Sequence, residues 1–134
     1  MATRFYTDPT NAPDVSPAYS LVWGDVSSAV RRKLALDTPG NNASTNFSVS
    51  ETSGSAIKCL AVQFVSEPLD AISDVFSVVK AAFRGLETAA KSDATLYYYI
   101  RKCTSDGSSI STYGYHDDGV ELDDGTLVNR FIGP

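Results

Sequence analysis

The stretch Ala94-Thr95-Leu96-Tyr97-Tyr98-Tyr99-Ile100-Arg101-Lys102-Cys103 decides the fold class. Leu96, Tyr98 and Ile100 alternate with Tyr97, Tyr99 and Arg101, the period-two pattern of a strand with amphipathic aromatics on both faces. Ser105-Asp106-Gly107-Ser108 follows as a hairpin signal, and Ile110 to Tyr115 reads as its antiparallel partner. Asp117-Asp118-Gly119 and Asp123-Asp124-Gly125 read as further turns, and Thr126 to Ile132 as a last strand.

Upstream, Ile57 to Val65 is an apolar run whose only strongly polar members are Lys58 and Gln63, bounded by turn residues, and it reads as a central strand. Ala29 to Leu36, with Val30, Arg32, Leu34 and Leu36 on one face, reads as another. Leu21-Val22-Trp23 reads as a short strand, and Thr45 to Ser50 alternates weakly. Asp70 to Lys91 fits two periods. Val75, Phe76, Val79, Phe83 and Leu86 make a helical face, while the valines and the β-like neighbours favour a pleated surface. Roughly seven or eight short strands with turns every eight to twelve residues predict an all-β fold, an antiparallel β-sandwich or jelly-roll-like body over residues 20–134. Its expected core is Trp23, Phe47, Leu60, Val62, Phe64, Val79, Phe83, Leu96, Tyr98 and Ile100.

Residues 1–19 read as an extended arm. Pro9, Pro13 and Pro17 fix their own φ, bias their predecessors toward extended geometry, and exclude both a helix and a central strand. Phe5, Tyr6 and Tyr19 give the arm apolar anchors, so it is expected to lie along another surface, that of a neighbouring chain.

Composition narrows function by exclusion. Eleven Lys and Arg against sixteen Asp and Glu give a net charge of −5, and the only basic run is Arg31-Arg32-Lys33, so nucleic acid is not an expected partner. That run is expected at a solvated edge or against an acidic neighbouring subunit. No apolar run approaches the ~20 residues of a membrane span, and the first residues lack a signal-peptide core, so a soluble chain made in a cytoplasm is expected. In that setting the sequons at Asn42 and Asn46 carry little weight. Cys59 and Cys103 read as buried thiols rather than a disulfide or a metal pair. His116 is the single histidine and reads as a solvated turn residue; with no Gly-x-Ser-x-Gly elbow, no catalytic residues are assigned. Five carboxylates stand between Asp117 and Gly125, yet without EF-hand spacing. They read as turn residues, and neither a metal nor a cofactor is expected. Among Tyr97, Tyr98 and Tyr99, alternation lets only Tyr97 and Tyr99 share a face; the three read as core and cross-strand packing, with a platform for a sugar ring as the alternative.

The pattern Arg4-Phe5-Tyr6, Pro9, Val15-Ser16-Pro17-Ala18, Trp23 and Asp25 resembles the opening of a largely uncharacterised group of phage-associated structural proteins. Gln63-Phe64-Val65-Ser66-Glu67-Pro68-Leu69 is similar to that group's Q-Y-V-S-E-P-L signature. Ser105-Asp106-Gly107 and Asn129-Arg130-Phe131 resemble its S-N-D-G and N-R-F elements. The resemblance implies a strand for Ser77 to Glu87 and a β-sandwich in a virion, on capsid or tail, without enzymatic activity. Members of the group continue past N-R-F into further strands, whereas this sequence stops at Pro134; a shorter member, or a sandwich completed by a partner, is implied. The expected function is therefore that of a non-enzymatic virion protein, a capsid decoration (cement) or accessory tail protein assembled in the host cytoplasm. Its expected partners are the major capsid or tail protein or copies of itself, through Arg4, Phe5, Tyr6, Pro9, Pro13, Pro17, Tyr19 and Arg31. The alternative is a carbohydrate-binding module for host attachment, with a surface glycan as partner.

Overall fold

The computed structural model of the chain describes residues 5–37, 45–50, 55–69, 81–89 and 93–132, and among them every regular element is a strand. The all-β expectation holds. The strands are β1 (Tyr6–Asp8), β2 (Val30–Ala35), β3 (Val62–Ser66), β4 (Ala81–Gly85), β5 (Thr95–Lys102), β6 (Ser111–Glu121) and β7 (Val128–Ile132). They form one three-stranded sheet, β1-β2-β3, and two two-stranded sheets, β4-β7 and β5-β6. Contacts divide the chain into two units: Met1–Ala71 with Cys103–Ile110, and Ile72–Lys102 with Ser111–Pro134.

In the first unit β1 pairs antiparallel with β2, Tyr6 opposite Ala35 and Asp8 opposite Lys33. β2 pairs parallel with β3, Val30 opposite Val62 and Leu34 opposite Ser66. A parallel pair needs a long crossover, and residues 36–61 supply it. The remaining ladders are antiparallel. β1, within the arm expected over residues 1–19, lies at a sheet edge: it pairs on one side and stops at Asp8, immediately before Pro9. What the arm reading missed is that this edge belongs to the chain's own sheet.

Several local expectations need correction. Leu21-Val22-Trp23 is a turn rather than a strand, closed by the Trp23 amide donating to the Ser20 carbonyl at 3.4 Å. Thr45 to Ser50 joins no ladder; Phe47 sits edge-on to Phe64 with ring centroids 6.0 Å apart. Of Ile57 to Val65 only the second half is ladder, and Cys59 makes an isolated parallel bridge to Asp25. In the described part of Ser77 to Glu87 the strand is Ala81–Gly85; residues 77–80, Val79 among them, lie outside the described residues.

The acidic stretch holds the most instructive difference. Asp117-Asp118-Gly119 is not a turn, because β6 runs through it. Tyr97 pairs with Asp117 and Thr95 with Glu121, so β6 carries extra residues there and bulges. Gly119 takes the positive φ of 60° that the bulge demands. The Asp118 carboxylate then accepts the Leu96 amide at 3.2 Å, filling a place the interrupted ladder leaves open. Asp123-Asp124-Gly125 is the turn the sequence indicates, with Gly125 at φ 65°.

Burial is shallower than expected. Trp23, Phe47, Leu60, Val62, Phe64, Phe83, Leu96, Tyr98 and Ile100 are all half-buried. Among the described residues Val65 and Leu122, each 8% exposed, are buried, as is Pro17. Two- and three-stranded sheets have too little area to enclose large side chains on both sides.

Candidate functional site

The residues expected to meet a partner gather around β2. Its three consecutive cations are all committed to this region rather than to bulk solvent. The Arg31 guanidinium donates to the Pro17 carbonyl at 3.1 Å and to Gln63 Oε1 at 2.7 Å, and its carbon lies 4.2 Å from the Tyr19 ring centroid. Arg32 donates to the Pro9 carbonyl at 2.7 Å. Lys33 receives no arm carbonyl on its side chain, but its amide donates to the Asn11 carbonyl at 2.9 Å, and its ammonium pairs with Glu67. That pairing raises the Lys33 pKa, with Glu67 as the hydrogen-bond acceptor the main cause. A planar guanidinium suits the work because it can satisfy a carbonyl, an amide oxygen and a ring face together.

Asp8 fixes the arm's course where β1 ends. Only 8% exposed, it accepts from the Asn11 side chain (2.7 Å), the Thr10 amide (3.0 Å) and hydroxyl (2.9 Å), and the Asn11 amide (3.1 Å). Four donors to one carboxylate hold its pKa well below the usual range, the Asn11 side chain contributing most. Pro17 is buried, and the hairpin-loop residue Gly107 abuts it: a Cβ there would lie 3.5 Å from the Pro17 nitrogen. The loop is held by Asp106, which accepts from Thr104 and from Ser108, and whose pKa is lowered to about 2 by those bonds, Thr104 first.

Tyr6 and Arg31 lie on the β1-β2-β3 sheet, and Arg31 and Arg32 bring Pro9, Pro17 and Tyr19 against it. Phe5 and Pro13 are half-buried, and Arg4 lies outside the described residues. Neither Gln63 nor Asp8 is among the partner-binding residues expected from the sequence. For Asp8 a local signal existed, since Asp-x-Thr-Asn offers an acceptor followed by side-chain and main-chain donors.

A second cluster stands on β5 and β6. Tyr97 and Tyr99 share a face, as alternation requires, and Tyr115 joins them from across the ladder, directly opposite Tyr99. The three ring centroids are 5.5–5.7 Å apart, with Tyr97 and Tyr115 only 6° from parallel. Tyr98 faces the other way, 6.3 Å from Phe83 and 5.9 Å from the His116 ring. His116 is therefore a half-buried strand residue, not a solvated turn residue.

Asp118 accepts two amides and lies 3.7 Å from Arg130, whose guanidinium also donates to the Glu121 carbonyl. Among the described residues no group of three His, Cys, Asp or Glu is arranged to hold a metal. Cys59 and Cys103 are not joined in a disulfide and are half-buried rather than buried. No helix among the described residues is long and apolar enough to cross a membrane. Comparison with known protein families, curated proteins and solved structures finds no match to this chain.

Proposed function

We propose that this chain is a non-enzymatic structural protein of a bacteriophage virion, a capsid decoration (cement) or accessory tail protein that joins subunits. In this reading its strands build a β-sandwich or jelly-roll-like body, antiparallel except for the β2–β3 pair, and the region around the arm meets the major capsid or tail protein or another copy of the chain. One observation carries the proposal: among the described residues, sheets of two and three strands bear large exposed apolar side chains. Leu21 is 101% exposed and Phe131 82%, and Leu36, Ile57, Leu69, Val120 and Leu127 are also exposed. Two-stranded sheets are marginal by themselves, and exposed apolar edges associate. A protein that works only inside an assembly tolerates such a surface because neighbours cover it.

The arm supports the same reading. Arg31, Arg32 and the Lys33 amide hold its carbonyls, so the arm stiffens the sheet edge that a neighbour would meet. The test is deletion of residues 1–17 followed by measurement of incorporation into particles. Failure of an all-β truncated chain to incorporate is the expected result. Incorporation at wild-type occupancy removes the arm from the contact. The carbohydrate-binding alternative has an observation of its own, the ring cluster of Tyr97, Tyr99 and Tyr115.

A further inference from the structure

We propose that the cavity between β2 and residues 45–48 binds a single carboxylate group, that of an acidic side chain or of a chain terminus. The proposal goes beyond the assembly reading and is tested without particles.

The cavity holds a volume of about 190 Å³, and Ser28, Arg32, Thr45, Asn46, Phe47 and Ser48 line it. Its place follows from the alternation of β2. Val30, Arg32 and Leu34 share one face of the strand, and Arg31 and Lys33 share the other. Parallel register sets Phe64 opposite Arg32, and Phe47 packs edge-on against Phe64. Residues 45–48 thus sit against the face that carries Arg32, although they join no ladder.

Arg32 differs from its neighbours in what it leaves unused. Lys33 pairs with the Glu67 carboxylate, and Arg31 is engaged by the Pro17 carbonyl, Gln63 and the Tyr19 ring. Arg32 donates Nε to the Pro9 carbonyl and Nη1 to the Arg31 carbonyl. Both acceptors are neutral, and among the described residues Nη2 has no acceptor and no carboxylate pairs with the guanidinium. A half-buried cation is left with an unused N–H group and an uncompensated charge beside a cavity. Ser28, Thr45, Asn46 and Ser48 are exposed, and their side chains make no hydrogen bond among the described residues. Three hydroxyls and a carboxamide are therefore free to donate to the oxygens of an anion.

Charge selects among the anions. A single cation lines the cavity, which matches a monoanion; a phosphate dianion would leave a negative charge uncompensated on a chain already at −5. A nucleic-acid strand needs a track of cations, and this cavity offers Arg32 alone. A carboxylate forms charge-assisted bonds with a guanidinium that a carboxamide of the same shape cannot match. Phe47 and Val30 give the methylenes behind the carboxylate an apolar wall.

The test uses the full-length chain, shifts of the backbone amides and of Arg32 Nε–Hε by NMR, and four probes. Acetyl-glutamate amide represents a side-chain carboxylate, and acetyl-alanine a chain terminus. Acetyl-glutamine amide keeps the glutamate shape without its charge, and inorganic phosphate is added as its dianion. At least one carboxylate probe is expected to shift Arg32 Nε–Hε and the amides of residues 45–48 saturably, about tenfold or more tightly than the glutamine probe. It should also bind more tightly than phosphate, and the tighter of the two carboxylate probes identifies the source. Arg32→Gln should bring the carboxylate and glutamine probes within about threefold of each other. If Arg32→Gln loses its far-UV CD signal, the double variant Thr45→Val, Ser48→Ala carries the test, since both positions lie outside the ladders. It should weaken the carboxylate probe about threefold or more. The proposal is overturned if no carboxylate probe shifts these groups, if the shifts fall elsewhere, if the glutamine probe or phosphate binds as tightly, or if the variants bind as the wild type does. Particle incorporation enters none of these outcomes, so failure here is distinguishable from failure of the assembly reading.

Discussion

Gly85 and Leu122 form a contact whose energetics can be worked from geometry. Gly85 ends β4, and a Cβ built on it would lie 3.1 and 3.2 Å from the two Cδ atoms of Leu122 and 3.7 Å from Leu96 Cδ1. Because both Leu122 methyls bracket the added atom, rotating one away drives the other in. Leu122 cannot withdraw as a whole either, since its amide donates to the Ala94 carbonyl at 2.8 Å. Gly85→Ala therefore overpacks, at about 1–3 kcal/mol, and recovers roughly 0.4–1 kcal/mol from the stiffer unfolded chain. The net expectation is a loss of about 0.5–2 kcal/mol. Leu122→Ala empties a site that is 8% exposed and should cost about 2–3 kcal/mol, the lower end for such truncations, because narrow sheets collapse readily around the gap. In the double variant the new methyl occupies part of that gap. Its loss should fall at least ~1 kcal/mol short of the sum of the singles. Urea unfolding followed by far-UV CD, with m-values compared across the four proteins, measures the cycle. Additivity within about 0.5 kcal/mol would refute the contact as described.

Asp8 has a depressed folded pKa, so its stabilising effect is complete above the unfolded value near ~3.9 and is lost as pH falls toward the folded one. Amide exchange at Tyr6 and Thr7 should accelerate as pH drops below about 4 in the wild type, after correction for intrinsic rates, and Asp8→Asn should remove that acid dependence. Arg31→Ala loses the Tyr19, Pro17 and Gln63 contacts together and should cost ~2 kcal/mol in chemical denaturation, with Arg31→Lys restoring little because an ammonium has no planar fork. Millimolar Ca²⁺ should leave the melting temperature unchanged, whereas a native site loaded at a hundredfold excess over its Kd would add about 2.7 kcal/mol.

Alternation made β5 legible, because Tyr97, Tyr98 and Tyr99 can be sorted to faces from period two alone. β2 was equally readable from its own residues. Its parallel partner was not, since no local signal distinguishes a parallel neighbour from an antiparallel one. Gly119 shows the limit more finely. Asp-Asp-Gly correctly demanded a positive φ, yet a tight turn and a bulge make the same demand. Only the pairing of Thr95 with Glu121 decides between them. The prolines exclude a helix and a central strand from the arm, while its seat on β2 depends on Arg31 and Arg32 reaching carbonyls more than a dozen residues earlier. Tyr115 joins the aromatic face through cross-strand register, which lies outside any single window of sequence. Leu122 becomes a buried residue for a similar reason: it faces the small space above Gly85, a neighbour distant in the chain.

The proposal that this chain is a structural part of a virion is tested most directly by quantitative mass spectrometry of phage particles purified from a culture that produces the chain, after nuclease treatment and a high-salt wash. The account predicts the chain in a fixed stoichiometric ratio to the major capsid or tail protein, retained through the wash. Its recovery only in the soluble lysate, with none on the particles, would contradict the claim.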